Sequence, residues 1–519
     1  MSSIVLMIIV FFSLAGLFSG CAPGNGADIP MGPGIETVPL FIGKQANSNP
    51  LMRQYIPQHP FLAPQARNGM HADSYCSDTY PGHGPLGNNP QVTSASLAWW
   101  GGEVATVAFD KKGRLICVSG NLFNFQLLLL DPDNLSVLAS FNLPQRASML
   151  KFWTTFDMRV IMNDTSGGAY FHLDKDDRPI IASADRIIKI FSLTESDNKP
   201  VWSIADSYDL NPFLPEDAAV IDAIPDWQGR IWFVTRNGIV GYVGPGRRSV
   251  HTLWLKGEEI QNSLAIAEDG VYVVSDHALY RFEADTENKK PEYTWREEYD
   301  RGSGVKPGAI NQGSGTTPTL VDKNLVAITD NADDRVNLLV YKRLPHVKGR
   351  RLVCRQPLFD KGRSVSENSI IAYGRSLIIE NNYRYSSGLP TDPNPRSHPG
   401  VTRIDINPDY SGCRVVWESR EASQTTVPKL SVGNGLVYLY TRLSGTLDTT
   451  VAWYLTAVDY RTGKTVYKIL TGTGALWNNN YAPITLGPDG TAYVGCYNGL
   501  MAIRDGRPGE KPRSIPKSR

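Results

Sequence analysis

The chain has 519 residues, of which 41% are hydrophobic and 10% aromatic, with 47 Gly and 35 Pro. That is ample material for a large core, and enough turn formers to argue against long helices. Its 52 basic and 51 acidic residues nearly cancel, without a long run of either sign, which excludes a general electrostatic grip on nucleic acid.

The first element is the apolar run from Ile4 to Phe18, followed by Ser19-Gly20-Cys21. The run is shorter than the roughly 20 residues of a spanning helix and fits a secretory h-region. Small residues ahead of Cys21 give a segment that resembles a bacterial lipoprotein signal, which implies lipidation of Cys21. It departs from that pattern in two places: Met1-Ser2-Ser3 carries no Lys or Arg, and Phe18 stands where Leu is usual. The expectation is export, as a cell-envelope lipoprotein held to the membrane at Cys21 or as a secreted protein. An ordinary cleaved signal and an uncleaved anchor stay open as alternatives.

Export permits disulfides. Cys76, Cys117, Cys354, Cys413 and Cys496 show no C-x-x-C spacing, which argues against zinc. Cys354 and Cys413 fall near the outer ends of successive repeat units and are the expected bridge. Cys117 and Cys496 sit inside strand patterns and read as buried thiols.

Residues 22–93 are rich in Gly, Pro and Asn with weak periodicity, and read as a tether and an irregular segment. His71, Asp73, Cys76, Asp78 and His83 give this stretch a metal-like composition, but in no recognised ligand spacing. From Gly102 onward a different pattern takes over: apolar strand, Gly-containing turn, strand, polar loop, strand, strand. VATVAFDKKGRLICVSG and AAVIDAIPDWQGRIWFVTRNGIVGYV show it well. The repeat recurs at about 40 residues, the length of a four-stranded propeller blade.

The predicted fold is all-β, a single β-propeller over 94–505 with about eight four-stranded blades, seven being the alternative. A polar tail follows at 506–519. The last unit, Tyr481 to Asp505, shows only three strands. A strand within SASLAWW (94–100) is expected to supply the fourth, closing the ring between the two ends of the chain.

Between Ala457 and Tyr467 the spacing Ala457, Asp459, Gly463, Lys464 and Tyr467 resembles the docking repeat of quinoprotein-like (PQQ-like) β-propellers, with Tyr in the usual Trp place. The resemblance implies blade packing, with Gly463 permitting a turn and Tyr467 contacting a neighbouring blade. It does not by itself imply a cofactor. The chain has no adjacent Cys-Cys pair and no C-x-x-C-H, so PQQ is less favoured as a cofactor.

In a propeller the loop leading into the first strand and the loop after the second strand open on one mouth of the channel. Those positions hold Asn262, Thr316, Glu367, Asn368, Thr425 and Asn479 before first strands. After second strands they hold Asn121, Asn237, Asp276, Asp330, Asn331, Glu380, Asn381, Asn382 and Arg442. Carboxylates and amides of this kind suit a hard cation such as Ca²⁺. Such a site would resemble the central calcium of lactonase-type propeller hydrolases. The same residue types are also ordinary turn formers.

Three readings follow. The leading one is an exported, lipid-anchored propeller that binds a protein or small-molecule ligand at the channel mouth. The alternatives are a calcium-dependent lactonase-type hydrolase and a PQQ-dependent oxidoreductase.

Overall fold

The computed structural model describes residues 27–97, 102–120, 125–157, 159–197, 199–244, 249–285, 287, 290–385, 397–444 and 451–514. Residues 1–26 with Cys21, residues 98–100 of the expected closing strand, and Asn121 lie outside them.

Eight sheets, each built on four antiparallel strands, make an eight-bladed propeller. Blade 1 consists of Glu103–Phe109, Leu115–Gly120, Phe125–Leu130 and Val137–Asn142, hydrogen-bonded in chain order. Blades 2 to 7 follow the same plan over 171–209, 220–254, 265–298, 319–357, 371–419 and 429–473. First strands line the axis and are buried, as with Val220–Pro225, while fourth strands alternate outward, as with Val137–Asn142. At the axis both faces of a strand are covered and the whole run is buried, whereas period-2 alternation survives where one face meets solvent.

The ring is closed by apolar packing as well as by hydrogen bonds. Eight hydrophobic clusters each lie between two consecutive blades. The cluster joining blade 8 to blade 1 contains Tyr493, Leu500, Val104 and Leu128. Blade 8 takes Ile484–Leu486, Ala492–Cys496 and Gly499–Arg504 from the C-terminal end and Gln91–Ala95 from the N-terminal end. The closing strand thus begins three residues before Ser94, because Gln91 to Ala95 pair with Arg504 to Leu500.

The docking-like stretch is used for packing between blades. Gly463 has φ +71°, and a β-carbon there would stand 2.6 Å from the Trp417 ring of blade 6. Tyr467 is buried at the junction of blades 7 and 8, stacked on Phe41 at 5.8 Å.

The segment expected to be irregular has the most consequential path. It starts on the mouth face, where Ala27 bridges Ser96. It then descends the outer edge of blade 7 as Phe41–Gly43 and crosses the opposite face, where Asn49 bonds Asn434. From there it turns into the channel. The carbonyls of Ser74, Tyr75, Ser77 and Asp78 accept from Ile266, Leu320, Ala372 and Leu430, on the first strands of blades 4, 5, 6 and 7 in succession. The carbonyl of Arg67 accepts from Phe109 of blade 1, and Ala63 donates to Leu173 of blade 2. Backbone groups that a strand would pair with a neighbour are here paired around the axis. The channel is closed from the face opposite the mouth.

Three turns of one sequence type cradle this plug. In Asp110–Arg114, Asp174–Arg178 and Asp226–Arg230 the aspartate accepts two backbone N–H groups of its own turn. Its second oxygen takes the arginine Nε at 2.7, 2.7 and 2.6 Å.

Candidate functional site

Loops that lead into first strands and turns that follow second strands do share the mouth face. In blade 6 they touch directly. Asn368 donates to Glu380, Asn382 donates to Glu380 at 3.2 Å, and Asn382 accepts the Glu367 N–H at 2.8 Å. Four of the predicted residues are thereby gathered into one buried group.

The others on this face serve separate local networks. Asp276 is clamped by Arg301 and His277 and accepts the Glu259 N–H at 2.7 Å. Asp330 is taken by Asn337, whose side chain donates at 2.7 Å, and faces Arg355 at 3.6 Å. Asn331 donates to the carbonyls of Arg301 and Gly304. Asn381 ties together Val365, Tyr383 and Arg363. Asn479 donates to the Ala482 and Gly495 carbonyls at 3.1 and 2.7 Å.

This donor set does not fit a calcium site. Asp276 is paired with Arg301, Asp330 is held by Asn337 with Arg355 beyond it, and the remaining oxygens are spread over different blades. Among the described residues no three His, Cys, Asp or Glu side chains stand close enough to hold a metal. The His71–Asp78 stretch belongs to the plug. Asp78 pairs with Lys429 and His71, Asp73 accepts from Ser77, and His83 meets Asn434 at 2.7 Å. Among the mouth cations, Arg146 donates to the Asp164 carbonyl at 2.9 Å and Arg236 to the Asn163 carbonyl at 2.6 Å.

The mouth instead assembles residues that the positional reading passed over. Tyr385 donates to the Asn479 carbonyl at 2.9 Å, meets the Tyr497 hydroxyl at 3.3 Å, and its ring stands edge-on to Tyr481 at 5.8 Å. Asn480 donates its N–H to Glu103 at 3.0 Å, and Ile310 donates to Glu367 at 3.2 Å. Burial pushes the Glu103 and Glu367 carboxyls up to about 8 each, only partly offset by those N–H groups. Glu380 is pushed up to about 7 by burial, against hydrogen bonds that favour its charged form. At neutral pH the balance for these two carboxyls therefore lies toward the protonated form, which can donate a hydrogen bond as well as accept one.

Tyr481 has φ +60°, a left-handed conformation that is costly for a bulky side chain and is held by its surroundings. Its ring stands beside Tyr385, and the Glu367 carboxyl acts electrostatically on its hydroxyl. Tyr481, Tyr497 and Glu103 are largely buried yet keep some exposed surface, so the group is reachable from the mouth. A positional signal for these residues existed. Glu103 leads into the first strand of blade 1, and Tyr497 follows the second strand of blade 8.

Cys354 and Cys413, on the outermost strands of blades 5 and 6, form a disulfide with Cα atoms 5.8 Å apart. Cys76, Cys117 and Cys496 are buried thiols.

No family model matches the chain. An uncharacterized protein of Archaeoglobus fulgidus is 29% identical over 309 residues, which is 53% of this chain and 59% of that one. The chain thus spans less than two thirds of that relative's length. Among solved structures, a streptogramin B lyase aligns over 80% of this chain and 97% of its own, with TM-score 0.36 and 11% identity. Virginiamycin B lyase from Staphylococcus aureus aligns over 73% and 98%, with TM-score 0.35 and 9% identity. The WD40 propeller domain of Doa1 aligns over 63% and 88%, with TM-score 0.35 and 10% identity.

Proposed function

We propose that this chain is an exported β-propeller, held to the membrane through Cys21, that binds a neutral, hydrogen-bonding ligand at its channel mouth. The ligand is a small molecule or an exposed segment of a partner protein. The observation that carries this reading is the group formed by Glu103, Glu367, Tyr385, Tyr481 and Tyr497 above a channel closed from the other side. Protonated carboxyls and tyrosine hydroxyls offer donors and acceptors without charge, and the tyrosine rings offer flat apolar surface. The amide oxygens of Asn368 and Asn479 are buried without a hydrogen-bond partner among the described residues, and add acceptors next to the same group.

The test is a thermal-shift and calorimetric screen of neutral saccharides, polyols and peptides against the full chain and the variants Tyr481→Ala and Glu367→Gln. A ligand bound at the mouth loses affinity in both variants. A ligand that binds all three proteins equally well overturns the assignment of the mouth. For export, cell fractionation of Cys21→Ala decides. Loss of the membrane-bound pool supports anchoring at Cys21, and an unchanged distribution removes it.

A further inference from the structure

Ala147–Thr155 is a nine-residue helix, α1, on the mouth face between blades 1 and 2. Met149 and Phe152 face inward and are buried, yet Leu150 is 74% exposed, Trp153 36% and Phe156 49%. Leu150 and Trp153, three residues apart on α1, and Phe156 at its left-handed C-cap thus leave large apolar surface uncovered. They are fixed in place: Phe152 holds the rings of Trp153 and Phe156 edge-on at 5.2 and 6.0 Å, and the Phe156 N–H closes the helix on the Phe152 carbonyl at 2.7 Å. Exposed Lys151 lies between them, and Arg159 follows. A rigid apolar edge of Leu, Trp and Phe with a flanking basic residue has the composition of a surface that lies in a membrane interface.

A second observation says what covers it. The described chain begins on this same face. Ala27 bridges Ser96, the Ile29 N–H donates to Ser94 at 3.0 Å, and Trp477 Nε1 donates to the Pro30 carbonyl at 3.1 Å. Ahead of Ala27, only residues 22–26 separate it from Cys21 and the uncharged apolar run that ends at Phe18. At about 3.5 Å per residue that connection spans roughly 20 Å. That is an upper bound, so a lipid anchor at Cys21 would be held within about 20 Å of Ala27 on the mouth face. Blades 8, 1 and 2 are consecutive, so the tether and α1 leave the ring on the same side.

We infer that the exposed edge of α1, Leu150, Trp153 and Phe156, rests on the lipid bilayer to which the N-terminal segment tethers the protein. The mouth then opens beside the membrane surface, and its ligand is met there. This inference depends on the anchoring proposed above.

The test places an environment-sensitive fluorophore on Leu150→Cys, or on Met52→Cys as a control, in the full chain bound to phosphatidylethanolamine/phosphatidylglycerol vesicles. Leu150 and Met52 are both exposed enough for substitution to leave the fold intact, and Met52 lies on the opposite face, where its carbonyl accepts from Tyr373. The other described cysteines are buried or bridged. The expected result is a blue shift, a several-fold gain in emission and quenching by nitroxide-bearing lipid at position 150, with none of these at position 52. Vesicle-bound protein with both probes in water, or with lipid contact at position 52, overturns this inference alone. Protein that stays wholly in the aqueous fraction overturns the anchoring and this inference with it.

Discussion

Asp78 and Lys429 form an ion pair in which neither side chain is exposed to solvent, joining the N-terminal plug to the first strand of blade 7. His71 approaches the same carboxylate at 3.3 Å, Ser369 of blade 6 donates to it, and Lys429 also donates to the Met70 carbonyl at 2.6 Å. The Lys429 ammonium, His71 and these hydrogen bonds hold the Asp78 carboxyl below its usual range against burial. The pair lies beside the bond from Leu430 N–H to the Asp78 carbonyl, so it ties this part of the plug to blade 7 by side chain and backbone together.

Breaking that pair from one side leaves a buried charge without its partner. Lys429→Met is expected to cost about 3–5 kcal/mol in a urea titration. Asp78→Asn with Lys429→Met is expected to cost less than Lys429→Met alone, because the stranded carboxylate is gone. A double variant weaker than the single one would contradict the role given to the pair.

The repeated Asp–Arg turns make a graded prediction. Asp110, Asp174 and Asp226 bond their own turns in the same way, but Asp226 also accepts the indole Nε1–H of buried Trp232 at 2.8 Å. Asp226→Ala strands a core donor as well as opening the turn. Its cost is expected to exceed that of Asp110→Ala by about 1–3 kcal/mol, the penalty of one unsatisfied buried group. Equal losses of Tm would show that the indole bond contributes nothing.

The ring itself was legible in the sequence because strand patterning is local. Each blade carries its own alternation and its own Gly-marked turns, and eight of them fit the length. The plug was not legible. Residues 59–80 show no period because their carbonyls are paired with Ile266, Leu320, Ala372 and Leu430, which lie far away along the chain. The mouth was half legible. Blade position brought Glu367, Asn368, Glu380 and Asn382 to one place, but it could not show that Asp276 and Asp330 are claimed by Arg301 and by Asn337 with Arg355. Tyr385 reaches its partners from a loop of blade 6 to blade 8, a contact that only the closed ring creates.

The bridge between Cys354 and Cys413 closes a loop of 59 residues across blades 5 and 6. In the chain-entropy model a loop of that length stabilises by about 4 kcal/mol, chiefly by restricting the unfolded chain. Cys354→Ala with Cys413→Ala is expected to lower Tm and to abolish its sensitivity to reductant. Both sulfurs pack in the cluster between these blades, so some loss comes from packing alone. A Tm of the native protein that is indifferent to reductant would remove the bridge's contribution.

Protonation of the mouth acids sets the direction of pH dependence. Glu103 and Glu367 titrate near 8 when folded and near the ordinary glutamate value when unfolded. Between those values the folded protein binds more protons than the unfolded chain, so stability falls as pH rises and the fall ends above the folded value. Above about pH 7.5 an ordinary histidine is largely neutral, which leaves these carboxyls, with Glu380 pushed up to about 7, as the main source of slope. Glu367→Gln keeps a neutral donor and is expected to flatten that limb by up to about 1.4 kcal/mol per pH unit, the slope carried by one proton. Below about pH 4, where the carboxyl is protonated in the folded and the unfolded chain alike, wild type and variant should differ little. A limb of unchanged steepness in Glu367→Gln would mean that Glu367 is ionised in the folded protein, and the uncharged mouth would have to be given up.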